Sequence, residues 1–212
     1  MRPLMNRLTL MPLAGTTGGV FLWSAINPHD LFTWWLEVLP VIIGYGILAL
    51  TYKNFPLTQL AYWLIAIHAI ILMMGGHYTY AHVPLFDHLK AVFGWTRNNY
   101  DKVGHFAQGF IPAIIAREIL LRKTGLTQGK MLFFLVVCIC LAISATYELI
   151  EWLTAVAIGS AADEFLGSQG DVWDTQQDMA WALLGALAAQ LSLSGRHDGQ
   201  LKTLFPNQFD YH

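Results

Sequence analysis

An all-α, polytopic membrane helix bundle of about six transmembrane helices is the fold class this sequence predicts, and three observations predict it. Hydrophobic residues make up 55% of the chain and charged ones 12%, where soluble domains carry roughly 25% charged residues. Apolar runs of the length a bilayer demands, about 20 residues, recur between short polar stretches. The basic residues are unevenly divided about those runs. Arg2, Arg7, Lys53, Arg117, Arg122, Lys123, Lys130, Arg196 and Lys202 fall at one set of ends, and Lys90, Arg97 and Lys102 at the other. Lysine and arginine favour the cytoplasmic side, so six spans with both termini cytoplasmic fit the division. Residues 1–193 read as a single transmembrane domain and 194–212 as a polar C-terminal tail.

The spans follow in order. Leu10 to Ile26 is short and contains Gly15, Gly18 and Gly19, which suits a helix packed closely on neighbours. Arg2 and Arg7 precede it, but a small-x-small cleavage site is lacking. Ala14 and Gly15 come too early and Ile26-Asn27-Pro28 is a poor site, so the span is read as uncleaved. Asn27-Pro28-His29-Asp30 is a turn, and Phe32-Thr33-Trp34-Trp35 reads as an interfacial stretch. The second span runs from about Leu36 to Tyr52, with Pro40 expected in its first turn or so, where proline is tolerated.

Leu57 to Met74 is the third span, with His68 in its middle read as a hydrogen-bonded packing residue. Residues 77–100 form the longest loop, in which Phe86 to Phe93 suits a short interfacial helix. Val103 to Leu121 is the fourth span, ended by Arg122-Lys123-Thr124-Gly125. Met131 to Trp152 is the fifth. Its Cys138 and Cys140 read as small apolar filler at different azimuths. After a loop over 153–170, the sixth span runs from about Asp174 to Leu193. Tyr78, Tyr80, Trp152 and Trp173 are expected in the interfacial aromatic belt.

Chemistry concentrates at one edge of this bundle. Eleven of the fourteen acidic residues belong to the non-cytoplasmic side, which in a bacterium is periplasmic. Asp101 and His105 stand four apart at the start of the fourth span, on one helix face. Glu148 and Glu151 stand three apart at the end of the fifth. Asp171, Asp174 and Asp178 precede and open the sixth, on one face if that helix begins early enough. Charges inside a span cost roughly 2.5–3.5 kcal/mol each at its centre, so these side chains are expected to face the bundle interior. His77 and His82 either supplement the cluster or are loop residues.

Three accounts fit the pattern. A divalent metal would find oxygen and nitrogen ligands in His105, Glu148, Glu151, Asp174 and Asp178. The same groups with Asp101 would make a metal-free acid–base site. Alternatively, Asp171 and Asp174 cap the sixth helix, Lys102 neutralises a neighbour, and His105 pairs with Glu148, all for architecture.

The three motifs together resemble a known family. Asn-Tyr-Asp-Lys-Val-Gly-His-Phe at 99–106, Tyr-Glu-Leu-Ile-Glu-Trp at 147–152 and Gly-Asp-Val-Trp-Asp-Thr-Gln-Gln-Asp-Met at 170–179 are similar to the YjdF-type bacterial inner-membrane proteins. The similarity runs from the Trp34 region through the sixth span. It implies a multi-pass protein of the bacterial cell inner membrane and brings no mechanism with it. Asp101 to Phe106 also resembles the Asp-Lys-x-x-His-Phe stretch of VanZ-like membrane proteins, as do Asp178 and Gly185, seven apart. Where that family usually has an asparagine between the last two, this chain has Ala182.

Two functions from different classes are therefore expected. One is a membrane enzyme with a periplasm-facing carboxylate–histidine site, with or without a metal, acting on a lipid or lipid-linked envelope substrate. The other is a non-enzymatic membrane protein, a small transporter or a structural partner of an envelope complex. Against transport stand the absence of internal repeats and the few polar groups in the inner halves of the spans. A net charge of −2 with no basic block excludes nucleic-acid binding.

Overall fold

The computed structural model describes residues 7–159 and 163–206. All regular structure among them is helical: α1 (Arg7–Ser24), α2 (Leu31–Thr51), α3 (Gln59–Tyr78), α4 (Pro84–Phe93), α5 (Tyr100–Lys123), α6 (Lys130–Ile158), α7 (Asp163–Leu166) and α8 (Asp174–Leu204). Three of these, α2, α3 and α6, are long and apolar enough to cross a membrane. The chain is a helical membrane bundle. In α5 and α8 hydropathy is diluted by polar residues, and those residues turn inward: Asp101, His105, Arg117 and Glu118 of α5 and Asp174, Asp178, Gln190 and His197 of α8 are all buried. Polar groups in a membrane bundle are tolerated where they meet one another rather than lipid.

α5 lies at the centre. It packs on α3 and α6 and most extensively on α8. Small residues permit that last contact. A Cβ on Gly109 would run into the Ala182 carbonyl, and one on Gly185 into the backbone of Phe106 and Phe110. Ala107, Ala113, Ala182, Ala186 and Ala189 continue the seam, fully or nearly fully buried. Helices associate in lipid by close backbone approach through such residues. The crossing fixes the start of α5 beside the start of α8. α6 instead turns much of its surface outward, with Leu149, Trp152, Leu153 and Val156 exposed, as a lipid-facing helix would.

Several boundaries differ from those the sequence predicts. α2 begins at Leu31, capped by Asp30, whose carboxylate accepts from Thr33 N at 2.7 Å. Pro40 therefore lies in the helix interior, not its first turn. Trp34 is core, 3% exposed and donating to Ser24 Oγ at 3.2 Å, while Trp35 stays outside. Tyr80 is not part of an aromatic belt. Thr79 and Tyr80 both take left-handed φ, 53° and 54°, a conformation rare for a bulky side chain. They swing the Tyr80 ring into the space between Gly75 and Gly104, where a Cβ on either glycine would strike it. Trp152 and Trp173 are exposed as expected, and so is Cys138, while Cys140 is buried.

α8 continues past Leu193 to Leu204 and joins a polar network that hydropathy conceals. Glu118, with no exposure, accepts from Thr58 N at 3.0 Å, Thr58 Oγ1 at 2.8 Å and Arg122 Nη1 at 2.7 Å, and meets His197 Nε2 at 3.1 Å. Arg117 bridges His197 and Asp198. An arginine only donates, so His197 Nδ1 accepts and its Nε2 carries the proton given to Glu118. Segment 194–204 is thus tied to α3 and α5, and the helix ends around Glu118 are more polar than expected.

Candidate metal centre

Asp101 and His105 open α5 and share one face, and Asp101 Oδ1 stands 3.2 Å from His105 Nε2. From α8, Asp178 Oδ2 approaches the same nitrogen at 3.8 Å. From α6, Glu148 Oε1 faces the other ring nitrogen, Nδ1, at 3.7 Å. All four side chains are buried. His105 Nδ1, Glu148 Oε1 and Asp178 Oδ1 have no hydrogen-bond partner.

One ligand atom each from Asp101, His105 and Asp178 lies within 4.8 Å of the other two. Ligands on opposite sides of a single divalent ion stand about 4–5 Å apart, so the three fit one ion. With Nε2 turned to that ion, Nδ1 carries the ring proton and points at Glu148. This is the carboxylate–histidine–metal relay that orients metal-binding imidazoles. With Nε2 instead bonded to Asp101 and no ion present, a neutral ring would oppose its lone pair to Glu148. A cation on the Nε2 side would leave Nδ1–H to donate to Glu148, and a doubly protonated ring would donate to Asp101 and Glu148 at once.

The remaining charges frame this group. Arg97 donates to Asp174, to Asp101 Oδ2 at 3.1 Å and to the Gly167 carbonyl at 3.2 Å. Burial disfavours its charge, but the bond to Asp174 outweighs that and holds the guanidinium above its ordinary pKa. Arg97 is positioned by its neighbour Asn98, whose Nδ2 donates to Val83 O and Asp87 Oδ1. The Asn98 backbone exchanges two 2.9 Å bonds with the Gln169 amide. Asp171 lies before α8 rather than on its face. The Trp173 backbone N–H, assisted by Gln177, keeps its carboxylate below the ordinary aspartate range. Lys102 donates to Gln177 Oε1 at 2.9 Å, not to a carboxylate.

Of the residues expected at this edge, the structure gathers Asp101, His105, Glu148 and Asp178. Asp174 is committed to Arg97, and Glu151 lies within electrostatic reach of Glu148 and His105. His77 belongs elsewhere: its ring stacks on Trp23 and its Nδ1 meets the Ser24 carbonyl at 3.0 Å. His82 packs on His29. His68 is not the hydrogen-bonded packing residue expected, because its Nε2 is buried without a partner.

Sequence reasoning missed Glu37 and Tyr147. Glu37 is buried on α2 and accepts from Tyr147 Oη at 3.0 Å, with Tyr80 also against it. A lone carboxylate in the apolar run from Leu36 was the available signal.

A family model described as "Predicted membrane protein (DUF2238)" matches residues 9–199. The chain therefore belongs to that family of predicted membrane proteins. It is similar to inner membrane protein YjdF of Escherichia coli (strain K12), with 51% identity over 199 residues, 92% of this chain and 95% of that protein. No solved structure matches.

Proposed function

We propose that this chain is an inner-membrane metalloenzyme whose Asp101, His105 and Asp178 hold one divalent cation at the periplasmic face, and that it hydrolyses a lipid or lipid-linked envelope substrate there. The single observation that carries the reading is the buried Asp101–His105–Asp178 group, with ligand atoms within 4.8 Å and unpartnered atoms on His105 and Asp178. Mixed carboxylate and imidazole donors suit zinc, manganese or iron. Such an ion acidifies a bound water and polarises an ester or phosphoryl oxygen. Glu148 holds the His105 tautomer, and Arg97 holds Asp101 and Asp174 in place.

The inner-membrane assignment is supported by the similarity to inner membrane protein YjdF. Six spans with cytoplasmic termini are supported by the division of basic residues, nine on one side and three on the other. A C-terminal green fluorescent protein fusion should fluoresce and a C-terminal alkaline phosphatase fusion should be inactive. The reverse result would move the site to the cytoplasmic side.

Activity is tested by reconstituting the protein in liposomes of total envelope lipid, with zinc, manganese or iron(II) supplied, and resolving products by mass spectrometry. A new hydrolysis product that requires metal and disappears in Asp178→Asn supports the enzyme. Bound metal without any product dependent on Asp178 leaves a binding protein. One observation favours the non-enzymatic reading, in which the protein is a transporter or envelope partner. Arg97 already pairs with Asp101 and Asp174, as an architectural clamp between α5 and α8 would.

A further inference from the structure

A groove of about 610 Å³ runs between α2, α3 and α5, away from the carboxylate cluster. Its walls are mostly apolar, formed by Tyr45, Leu48, Ile65, Leu72, Ile115 and Ile119, and interrupted by Thr51, Asn54, His68 and Lys123. Lys123, exposed, stands at one end, its Nζ 5.0 Å from the centre of the Phe55 ring. His68, with its unpartnered Nε2, stands deep inside. The bond between Thr58 and Glu118 sets the levels of α3 and α5. Lys123 is five residues beyond Glu118 and His68 ten residues beyond Thr58 in the opposite direction. At 1.5 Å per residue the two levels are about 22 Å apart, close to the length of an extended acyl chain.

We propose that this groove is a phospholipid site: one acyl chain of an anionic glycerophospholipid lies along α2, α3 and α5, and its phosphate rests on Lys123. Three helices enclose the chain, unlike the convex surface that α6 offers to lipid. This cation selects the headgroup, since one lysine near the membrane surface strengthens attraction to an anionic lipid by about fivefold. Gly44 lines the groove, and a Cβ there meets nothing within 4 Å. A large side chain at this position enters the groove rather than the protein.

The experiment is native mass spectrometry of the detergent-purified full chain, titrated with phosphatidylglycerol bearing palmitoyl and oleoyl chains. Phosphatidylcholine with the same chains and inorganic phosphate are the comparison ligands. One phosphatidylglycerol should bind, about fivefold or more tighter than phosphatidylcholine. Lys123→Glu should remove that preference, and Gly44→Phe should abolish binding of both lipids. His68→Leu should bind at least as well as the parent, because an acyl chain needs no hydrogen bond. Equal binding of the two lipids, undiminished binding by Gly44→Phe, or an unchanged preference in Lys123→Glu would overturn the proposal. So would displacement by phosphate, which would leave only an anion site, or loss in His68→Leu, which would mean a ligand with a polar group at that depth. A melting curve of each variant shows whether it is folded. Lys123 is exposed, so its arm remains decisive if Gly44→Phe fails to fold.

Discussion

His105 is caught between two carboxylate sets, Asp101 and Asp178 on one ring nitrogen and Glu148 on the other. Packing these acids together is costly without a cation, because each brings desolvation and like-charge repulsion to its neighbours. Asp178→Asn keeps the shape and removes one charge. In chelator-treated protein it should raise the melting temperature, by about 2–4 °C for each kcal/mol relieved, while removing the stabilisation that added metal gives the parent. Such an exchange of stability for function is characteristic of active sites. Were the cluster architectural, the same substitution would lower the melting temperature with or without chelator. These residues were legible in the sequence because a carboxylate or imidazole at the end of an apolar run is conspicuous. Arg97 and Tyr147 were not, since a loop arginine and a span-end tyrosine resemble ordinary interfacial residues until their partners are known.

At the scale of elements, the α5–α8 crossing makes the site. Gly109 and Gly185 each face the other helix's backbone, which cannot yield as a side chain would. Gly185→Val should push the helices apart and cost about 1–3 kcal/mol or more. It should also weaken metal binding with every ligand intact, as a titration followed by metal analysis would register. The far end of α8 carries a separate prediction. Truncation after Leu193 removes His197 and Leu201 and strips Glu118 of one partner inside the bundle. A loss of about 3–5 kcal/mol is expected, because buried Arg117 also loses its ion-pair partner Asp198, measured by thermal unfolding in detergent. Hydropathy located the long helices well, as runs of about 20 apolar residues leave little choice. It placed the end of the sixth span at Leu193 because it cannot distinguish a polar tail from a helix whose polar face meets Glu118.

The whole molecule is organised by which side of each helix meets lipid. Spans with exposed apolar surface, α2 and α6, are obvious from composition. The central helix α5, read from the sequence as the fourth span, is less apolar than α2, α3 and α6, and it touches α3, α6 and α8. Its polar residues face inward at both ends, Asp101 and His105 at one and Arg117 and Glu118 at the other. The sequence shows this central position only indirectly, through the small residues of its seam. The Asp101–His105–Asp178 group contains unpartnered ligand atoms, whereas both carboxylate oxygens of Glu118 are bonded. That contrast is why the first group, and not the one around Glu118, is assigned chemistry.

The central claim is that Asp101, His105 and Asp178 hold a divalent ion. Metal content of the detergent-purified protein, measured by inductively coupled plasma mass spectrometry beside His105→Ala and Asp178→Asn, tests it most directly. Near-stoichiometric zinc, manganese or iron in the parent, absent from both variants, is the predicted result. Folded parent protein that neither retains one of these metals nor takes it up after dialysis against it would contradict the account.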